Sequence, residues 1–338
     1  MPAEYRALPT RAQIAALRPS VRTALGRYGL DAVRIRLLLH DFNTSFRIDT
    51  ADGRRFALRI NVHSHREPGN LEAEAAWRGA LRNSTIPVPA PVPTVDGRPW
   101  TAVWSDVLGR EVPVVLMTWL PGRDLDGVLD TAPRSTVIEA VTALGRTMAA
   151  LHCQAASWRP PSGTWLPVLD RVECDRFDRL HPASAPVVHD AADLVRAAID
   201  SVSTTAPVIP LHADLHAGNV KWFRRRIAVF DFDDSAMGVP AQDLAIAAYY
   251  LRDDEIAESA LIDGYSSVAE PPVVPPEQFE ALVAGRNLQI LHDVLGGIGA
   301  ADRDFAAAYE RNTVVKLRAF LASGRYRHDV PGLEAISL

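Results

Sequence analysis

Asp214, Asn219 and Asp231 have the residue types and spacing that moving a phosphoryl group requires. That chemistry needs one carboxylate to hold the attacking hydroxyl, and oxygen ligands that bind magnesium across nucleotide phosphates. Asn219 follows Asp214 by five positions, and Asp231 closes the apolar run Ile227-Ala-Val-Phe230. Singly, each has a plain structural reading. An Asp two places after a His commonly caps a turn, and an Asp at a strand end commonly faces solvent. The joint pattern His-x-Asp-x-x-x-x-Asn, a short strand and then Asp-Phe-Asp is much harder to reach by chance.

Around that constellation lie 338 residues, longer than the usual single domain, so two lobes with a cleft between them are expected. With 48% hydrophobic and 23% charged residues the composition is that of a folded enzyme and excludes a disordered chain. The net charge is -5 and the only basic run is Arg224-Arg225-Arg226, which argues against a nucleic-acid partner. Cys153 and Cys174 have no zinc-site spacing and indicate a reducing compartment. The N-terminus has no apolar core of signal-peptide length and no membrane span is visible, so a cytoplasmic location is expected. Lysine occurs only at Lys221 and Lys316, so a cation needed in the N-terminal half must be arginine or histidine.

The elements that must position the site follow from periodicity. Residues 10 to 28 read as helical pieces broken at Pro19 and stopped at Gly29. Val33, Ile35, Leu37 and Leu39 share one strand face, Phe46 and Ile48 open a second strand, and Asp52-Gly53 turns into a third over residues 55 to 60. Residues 70 to 82 read as a helix capped by Asn70, with Leu71, Ala75, Trp77 and Leu81 on one stripe. The Pro-rich segment 86 to 95 is extended, residues 101 to 104 and 112 to 119 are two further strands, and Pro121-Gly122 marks the lobe boundary. Helices are expected at 134 to 152, 187 to 201, 241 to 251, 253 to 267, 276 to 292 and 303 to 321. The fold class is therefore α+β: a five-stranded antiparallel sheet with one main helix in residues 1-120, preceded by a helical extension over 1-29, and a mostly helical lobe over 121-338. Residues 208 to 245 are the one β-like island of the second lobe.

Within that island, LHADLHAGN, VFDFDD and Pro240-x-x-Asp243-Leu-Ala resemble the aminoglycoside phosphotransferase and choline kinase-like family, which also holds homoserine kinase-like enzymes and bacterial stress-response Ser/Thr kinases. The resemblance implies a protein-kinase-like bilobal fold and ATP- and Mg2+-dependent transfer of the γ-phosphate to a hydroxyl. By it, Asp214 is the catalytic base or hydroxyl-orienting carboxylate, Asn219 and Asp231 are magnesium ligands, and His212 and Asp243 brace the loop. Asp233 stands where protein kinases have a glycine; it is a further metal ligand or a solvated turn residue. In the first lobe Arg59 stands where the family usually has lysine, with Glu74 as its carboxylate and Glu72 as the rival. Arginine binds phosphate as a planar fork rather than a point charge, so the exchange is not neutral. Asn43, Thr44 and Ser45 would cover the phosphates, and Met117, Thr118 and Leu120 resemble the linker that meets adenine. Ala213 and Ala217 depart from the Gly and Pro common in relatives.

The acceptor is expected to be a small hydroxylated molecule held by the second lobe. Asp234, Arg286, Gln289, His292 and Asp293 are its candidate contacts, with Arg286, Gln289 and Asp293 on one helix face. Asp253, Asp254, Glu255 and Glu258 suit either a polycation or a helix N-terminus. Two other readings stay open: a Ser/Thr protein kinase, and an ATP-binding regulatory module with little catalysis.

Overall fold

The structure, a computed structural model, describes residues 2–64, 66–84, 86–169, 179–296 and 303–335. Two helices, α1 (Ala3–Ala7) and α2 (Thr10–Arg27), precede the sheet. Contrary to the expected break, α2 runs through Pro19. The proline removes the bond to the Ala15 carbonyl, but Ala15 and Pro19 both lie on the exposed side, so the freed acceptor is open to solvent. The opposite side, with Leu17, Val21, Ala24 and Leu25, is buried, and Gly29 at φ 63 ends the helix.

Strands β1 (Ala32–His40), β2 (Thr44–Thr50) and β3 (Arg55–Ile60) lead to α3 (Pro68–Leu81), and β4 (Thr101–Ser105) and β5 (Arg110–Thr118) complete a five-stranded sheet. All pairs are antiparallel, as expected, and the order is β1-β2-β3-β5-β4. Alternation along β2 and β3 separates two faces. Phe46, Ile48, Phe56, Leu58 and Ile60 pack with Leu17 and Val21 of α2, whereas Ser45 and Arg59, which are register partners, share the opposite face. The buried face expected for β1 does not form. Val33, Leu37 and Leu39 are exposed, because β1 is the edge strand and register shifts between Ala32 and Arg34 and between Leu37 and Leu39 break its alternation. Asn70 is not the cap of α3 either. The helix starts at Pro68, and the Asn70 side chain reaches back from the third position to accept the Glu67 amide at 3.0 Å.

After the junction come β6 (Arg123–Asp124), α4 (Leu125–Thr131), α5 (Arg134–Ser157), α6 (Ala185–Thr205), β7 (Ile209–Leu211), β8 (Val220–Phe223), β9 (Arg226–Val229), β10 (Ala236–Gly238), α7 (Pro240–Leu251), α8 (Glu255–Ser266), α9 (Pro276–Leu295) and α10 (Arg303–Ser323). Helices α5 to α10 are the six expected; α4, only seven residues long, was too short for a periodic signal. Of the acidic group at 253 to 258, Asp254 caps α8 by accepting the Ala257 amide at 3.0 Å, the helix-start reading. Cys153 is an exposed free thiol, and Cys174 lies outside the described residues. Among the described residues no helix is long and apolar enough to cross a membrane.

Helices α5 and α8 meet backbone to backbone. A Cβ on Gly145 would lie 2.0 Å from the Leu261 carbonyl oxygen, and one on Gly264 would lie 2.1 Å from that of Thr142. Since α5 and α8 share one hydrophobic core, with Val141, Leu144 and Met148 beside Leu261 and Tyr265, Gly145→Val forces the pair apart. A loss of about 3 kcal/mol is expected, at the upper end for an overpacked core; thermal melting checks it, and an unchanged Tm would show that the two helices slide freely.

Candidate active site

The short strands β7 to β10 place the loops that carry the chemistry. Between β7 and β8 the chain turns at Ala213, whose φ of 66 is left-handed. That turn is pinned by Asp243 in the first turn of α7: its carboxylate accepts the His212 amide at 3.1 Å and the Ala213 amide at 2.8 Å. His152 of α5 lies 3.2 Å from the same carboxylate and 2.9 Å from the Tyr265 hydroxyl. His212 bonds through Nε2 to the Phe230 carbonyl at 2.9 Å, tying the turn to the end of β9. His212 and Asp243 thus both hold this turn.

Burial pushes the Asp243 carboxyl up, but His152, His212 and the Ala213 amide outweigh it and hold it below the ordinary range. A depressed carboxylate contributes stability above its unfolded pKa of about 3.9 and loses it as pH falls through the lower folded value. Asp243→Ala strands two buried amides and His152, so a loss of about 3 kcal/mol is expected. The acid limb of its stability profile should also flatten. Urea unfolding of both proteins between pH 3 and 7 measures both effects, and parallel profiles would contradict the pinning role.

Asp214 projects from the turn with one donor on each oxygen. Asn219 Nδ2 bonds to Oδ2 at 2.7 Å and to the Asp214 carbonyl at 2.9 Å. Oδ1 receives Arg286 Nη2 from α9. His216 Nε2 lies 3.5 Å from Oδ2, and its ring stacks on Tyr250 with centroids 4.1 Å apart. Burial raises the Asp214 pKa, yet Arg286 and then His216 overcome it and hold the carboxyl well below the usual range. It is a weak base and a well-fixed one.

Asp231 follows β9 in a left-handed conformation, φ 60 and ψ 66. Burial raises its pKa, with Asp233 and Asp214 adding to the effect and Arg59 opposing it. Asp234 is pushed up to about 7 by burial and by the same repulsion from Asp214 and Asp233, against the pull of Arg286. Carboxylates crowded in this way favour a bound cation. The donor set fits magnesium. Asn219 spends its amide nitrogen on Asp214, so its Oδ1 is the branch left for a metal. Asp231 supplies a carboxylate, and Asp233 Oδ1 is buried without a hydrogen bond. Among the described residues no three His, Cys, Asp or Glu side chains form a metal group. Magnesium needs no such cage, because it keeps waters and takes one or two carboxylates beside phosphate oxygens.

Across the cleft, Arg59 is 2% exposed and is the hub of the sheet's contribution. Its Nη2 lies 2.9 Å from Glu74 Oε2 and 3.2 Å from Asp233 Oδ1, its Nη1 lies 3.5 Å from Asp231 Oδ1, and its Nε bonds to Asn61 at 3.0 Å. Glu74 also meets Arg78 at 3.3 Å. The rival Glu72 is exposed. Asn43 Nδ2 bonds to Asp233 Oδ2 at 2.6 Å, joining the β1-β2 turn to the metal loop. Thr44 is not brought to the site: it lies on the α2 side, fully buried, with its hydroxyl 2.7 Å from His40 Nδ1. The Thr118 amide and hydroxyl are already bonded to Ala90, at 2.9 and 2.8 Å, so of the linker's polar groups those of Leu120 are better placed to meet a base. Met117 packs with Leu71, Val115 and Ala57.

A family model described as the phosphotransferase enzyme family matches residues 35–276, well over half the chain. The chain belongs to that family. Amicoumacin kinase of Bacillus subtilis (strain 168) is 25% identical to this phosphotransferase over 232 residues, 67% of this chain and 66% of the relative. The match thus spans just under two thirds of that protein. Among solved structures, the microcompartment-associated aminopropanol kinase superposes with a TM-score of 0.76 at 22% identity, covering 92% of this phosphotransferase and 100% of that chain. An amicoumacin kinase solved with AMP-PNP, Ca2+ and Ami gives 0.74 at 17% identity, covering 90% and 96%. These likenesses establish the bilobal protein-kinase-like fold.

Several site residues were not legible beforehand. Tyr250 and His152 touch the site only through tertiary contacts. Asn61, two residues beyond Arg59 on the strand, Arg78, one helical turn beyond Glu74, and His216, two residues after Asp214 in LHADLHAGN, each had a local signal in its spacing.

Proposed function

We propose that this phosphotransferase transfers the γ-phosphate of ATP to a hydroxyl of a small molecule. The observation that carries the reading is the meeting of Asp214, Asn219 and Asp231 in one cleft with the Arg59-Glu74 pair of the sheet. Residues 1-120 act as the nucleotide lobe and 121-338 as the catalytic and acceptor lobe, in a cytoplasmic protein with no nucleic-acid partner. Arg59, oriented by Glu74, neutralises the α- and β-phosphates; Asn43 and Ser45 approach them from the β1-β2 turn, and Met117 and Leu120 border the base. Asn219 and Asp231 would hold magnesium, with Asp233 beside them, and the ion would supply Lewis-acid charge to the transferring phosphate. The acceptor oxygen bonds to the γ-phosphorus as the bond to the β-γ bridging oxygen breaks. The electron pair leaves on ADP, and the hydroxyl proton passes to Asp214. A carboxylate of low basicity suits this reaction, because a loose transition state calls for orientation before deprotonation. Asp234, Gln289 and Asp293 border the acceptor space.

Aminopropanol and amicoumacin, named for the similar proteins, head an acceptor panel of small hydroxylated molecules. ADP formation from Mg·ATP should appear with one or more of them and vanish with Asp214→Ala. Phosphate transfer only to proteins would move the reading to a protein kinase, and Mg·ATP binding with no transfer at all would refute catalysis.

A further inference from the structure

We propose that Arg286 is a positioning residue for phosphoryl transfer: from the acceptor side of the cleft it fixes the Asp214 carboxylate and places a permanent positive charge beside the attacking oxygen. The proposal rests on the phosphotransfer reading above.

Four observations carry it. First, Arg286 comes from α9, more than seventy residues beyond the catalytic turn, yet its Nη2 contacts Asp214 Oδ1. With Asn219 on Oδ2, the two donors fix the plane of the carboxylate. An ionised carboxylate has about four lone-pair sites, so room remains on Oδ1 for an acceptor hydroxyl. An oxygen bonded there lies next to the guanidinium.

Second, Arg286 is itself aimed. Its Nη2 and Nε bond to the Tyr250 hydroxyl at 2.7 and 3.2 Å, and its Nη1 bonds to Gln289 Oε1 at 2.5 Å. The guanidinium carbon sits 5.4 Å from the centre of the Tyr250 ring, and that ring stacks on His216. Asp214, Arg286, Tyr250 and His216 thus close a ring of contacts. The root of Arg286 lies within a continuously buried stretch of α9, Ala281 to Leu288. A donor held this firmly requires little reorganisation when charge develops, which is where such groups have their largest effect.

Third, lysine does not fill the role. Of the two lysines, Lys221 pairs with Asp124 and Lys316 lies on α10. Arg59 serves the nucleotide side, 3.5 Å from Asp231. Arg286 is the cation bonded to Asp214. Fourth, its partners demand the planar fork: Asp214, Tyr250 and Gln289 are met by three different nitrogens, which a point ammonium does not reproduce.

In the reaction, the acceptor oxygen forms its bond to the γ-phosphorus, the bridging oxygen leaves with the electron pair on ADP, and the proton goes to Asp214. Arg286 exchanges no proton. It stays charged and keeps the carboxylate directed at the hydroxyl while negative charge gathers on the phosphoryl oxygens.

The test measures ADP release from Mg·ATP, first with water as the attacking hydroxyl and then with the best acceptor of the panel, for wild type, Arg286→Ala, Arg286→Lys and Tyr250→Phe. Arg286→Ala should lose about 10²- to 10³-fold in kcat with either acceptor, as when one preorganised donor is removed. Its dissociation constant for Mg·ATP, from calorimetry, should stay within about threefold, since Arg286 lies away from the nucleotide contacts. Added guanidinium at millimolar concentration should restore part of the rate to Arg286→Ala and none to Asp214→Ala. Arg286→Lys and Tyr250→Phe, which keep a charge or the aromatic ring, should each lose about tenfold and supply the reading if the alanine variant does not fold. Rates at or above wild type in folded Arg286→Ala, or in both milder variants, would overturn the proposal and leave phosphotransfer standing. A rate loss that guanidinium does not relieve, accompanied by weakened Mg·ATP binding, would make Arg286 merely structural. A wild type that binds Mg·ATP and releases no ADP with any acceptor would remove the phosphotransfer reading itself.

Discussion

Asp214→Ala should lower kcat by about 10³- to 10⁴-fold while leaving the protein folded and able to bind Mg·ATP, the upper range for a positioned acid-base group. The expectation follows from where Asp214 sits. Its side chain is 17% exposed at the floor of the cleft, and its two oxygens are oriented by Asn219 and Arg286, so no neighbouring carboxylate is set to take its place. Asp234 is a further carboxylate of the site, but its raised pKa is set in part by the charge of Asp214 itself, and no Asn219 or Arg286 hydrogen bond orients it. The fold should tolerate the change, since Arg286 keeps Tyr250 and Gln289 as partners and the turn stays pinned by Asp243. Steady-state kinetics with the best acceptor, a melting curve and a calorimetric Mg·ATP titration separate these effects. A variant retaining more than a tenth of the wild-type kcat would remove Asp214 from the reaction.

Asp231→Asn is expected to have the second largest effect, about 10²- to 10⁴-fold in kcat, together with a higher magnesium requirement. Charge stabilisation by a bound metal amounts to several kcal/mol, at about 1.4 kcal/mol per decade of rate. The substitution isolates that electrostatic loss. Asp231 is left-handed at φ 60, a conformation that asparagine adopts more readily than most residues, and the exchange preserves side-chain shape. It also relieves crowding with Asp233 and Asp214. Melting temperature in the absence of nucleotide should therefore hold or rise while activity collapses. Titrating Mg2+ at fixed ATP locates the shifted requirement; a wild-type magnesium curve would show that Asp231 holds no metal.

Much of the fold was legible because it obeys local periodicity. Residues 55 to 60 alternate cleanly since β3 is flanked by β2 and β5, whereas the edge strand β1, free of that restraint, bulges and turns Val33, Leu37 and Leu39 to solvent. Pro19 was misjudged because the proline rule is local, whereas the buried stripe of Leu17, Val21, Ala24 and Leu25 holds the helix together from its other side. The choice of Glu74 over Glu72 was a matter of helix phase: Glu74 is buried against Arg59, and Glu72 is exposed. Thr44 was misplaced because its nearness to Asn43 in sequence says nothing of strand parity, and it faces α2.

By itself the sequence singled out the candidate reacting groups on two neighbouring loops. Asp214, Asn219 and Asp231 lie within eighteen residues, and a short chain segment leaves its polar side chains few alternatives to convergence. Only the tertiary structure decided where Arg286 acts. The resemblance already offered Arg59 for the nucleotide side, whereas Arg286, expected against the acceptor, comes from a distant helix and lies on Asp214. The crossing of α9 over the catalytic turn, which no local spacing encodes, brings it there.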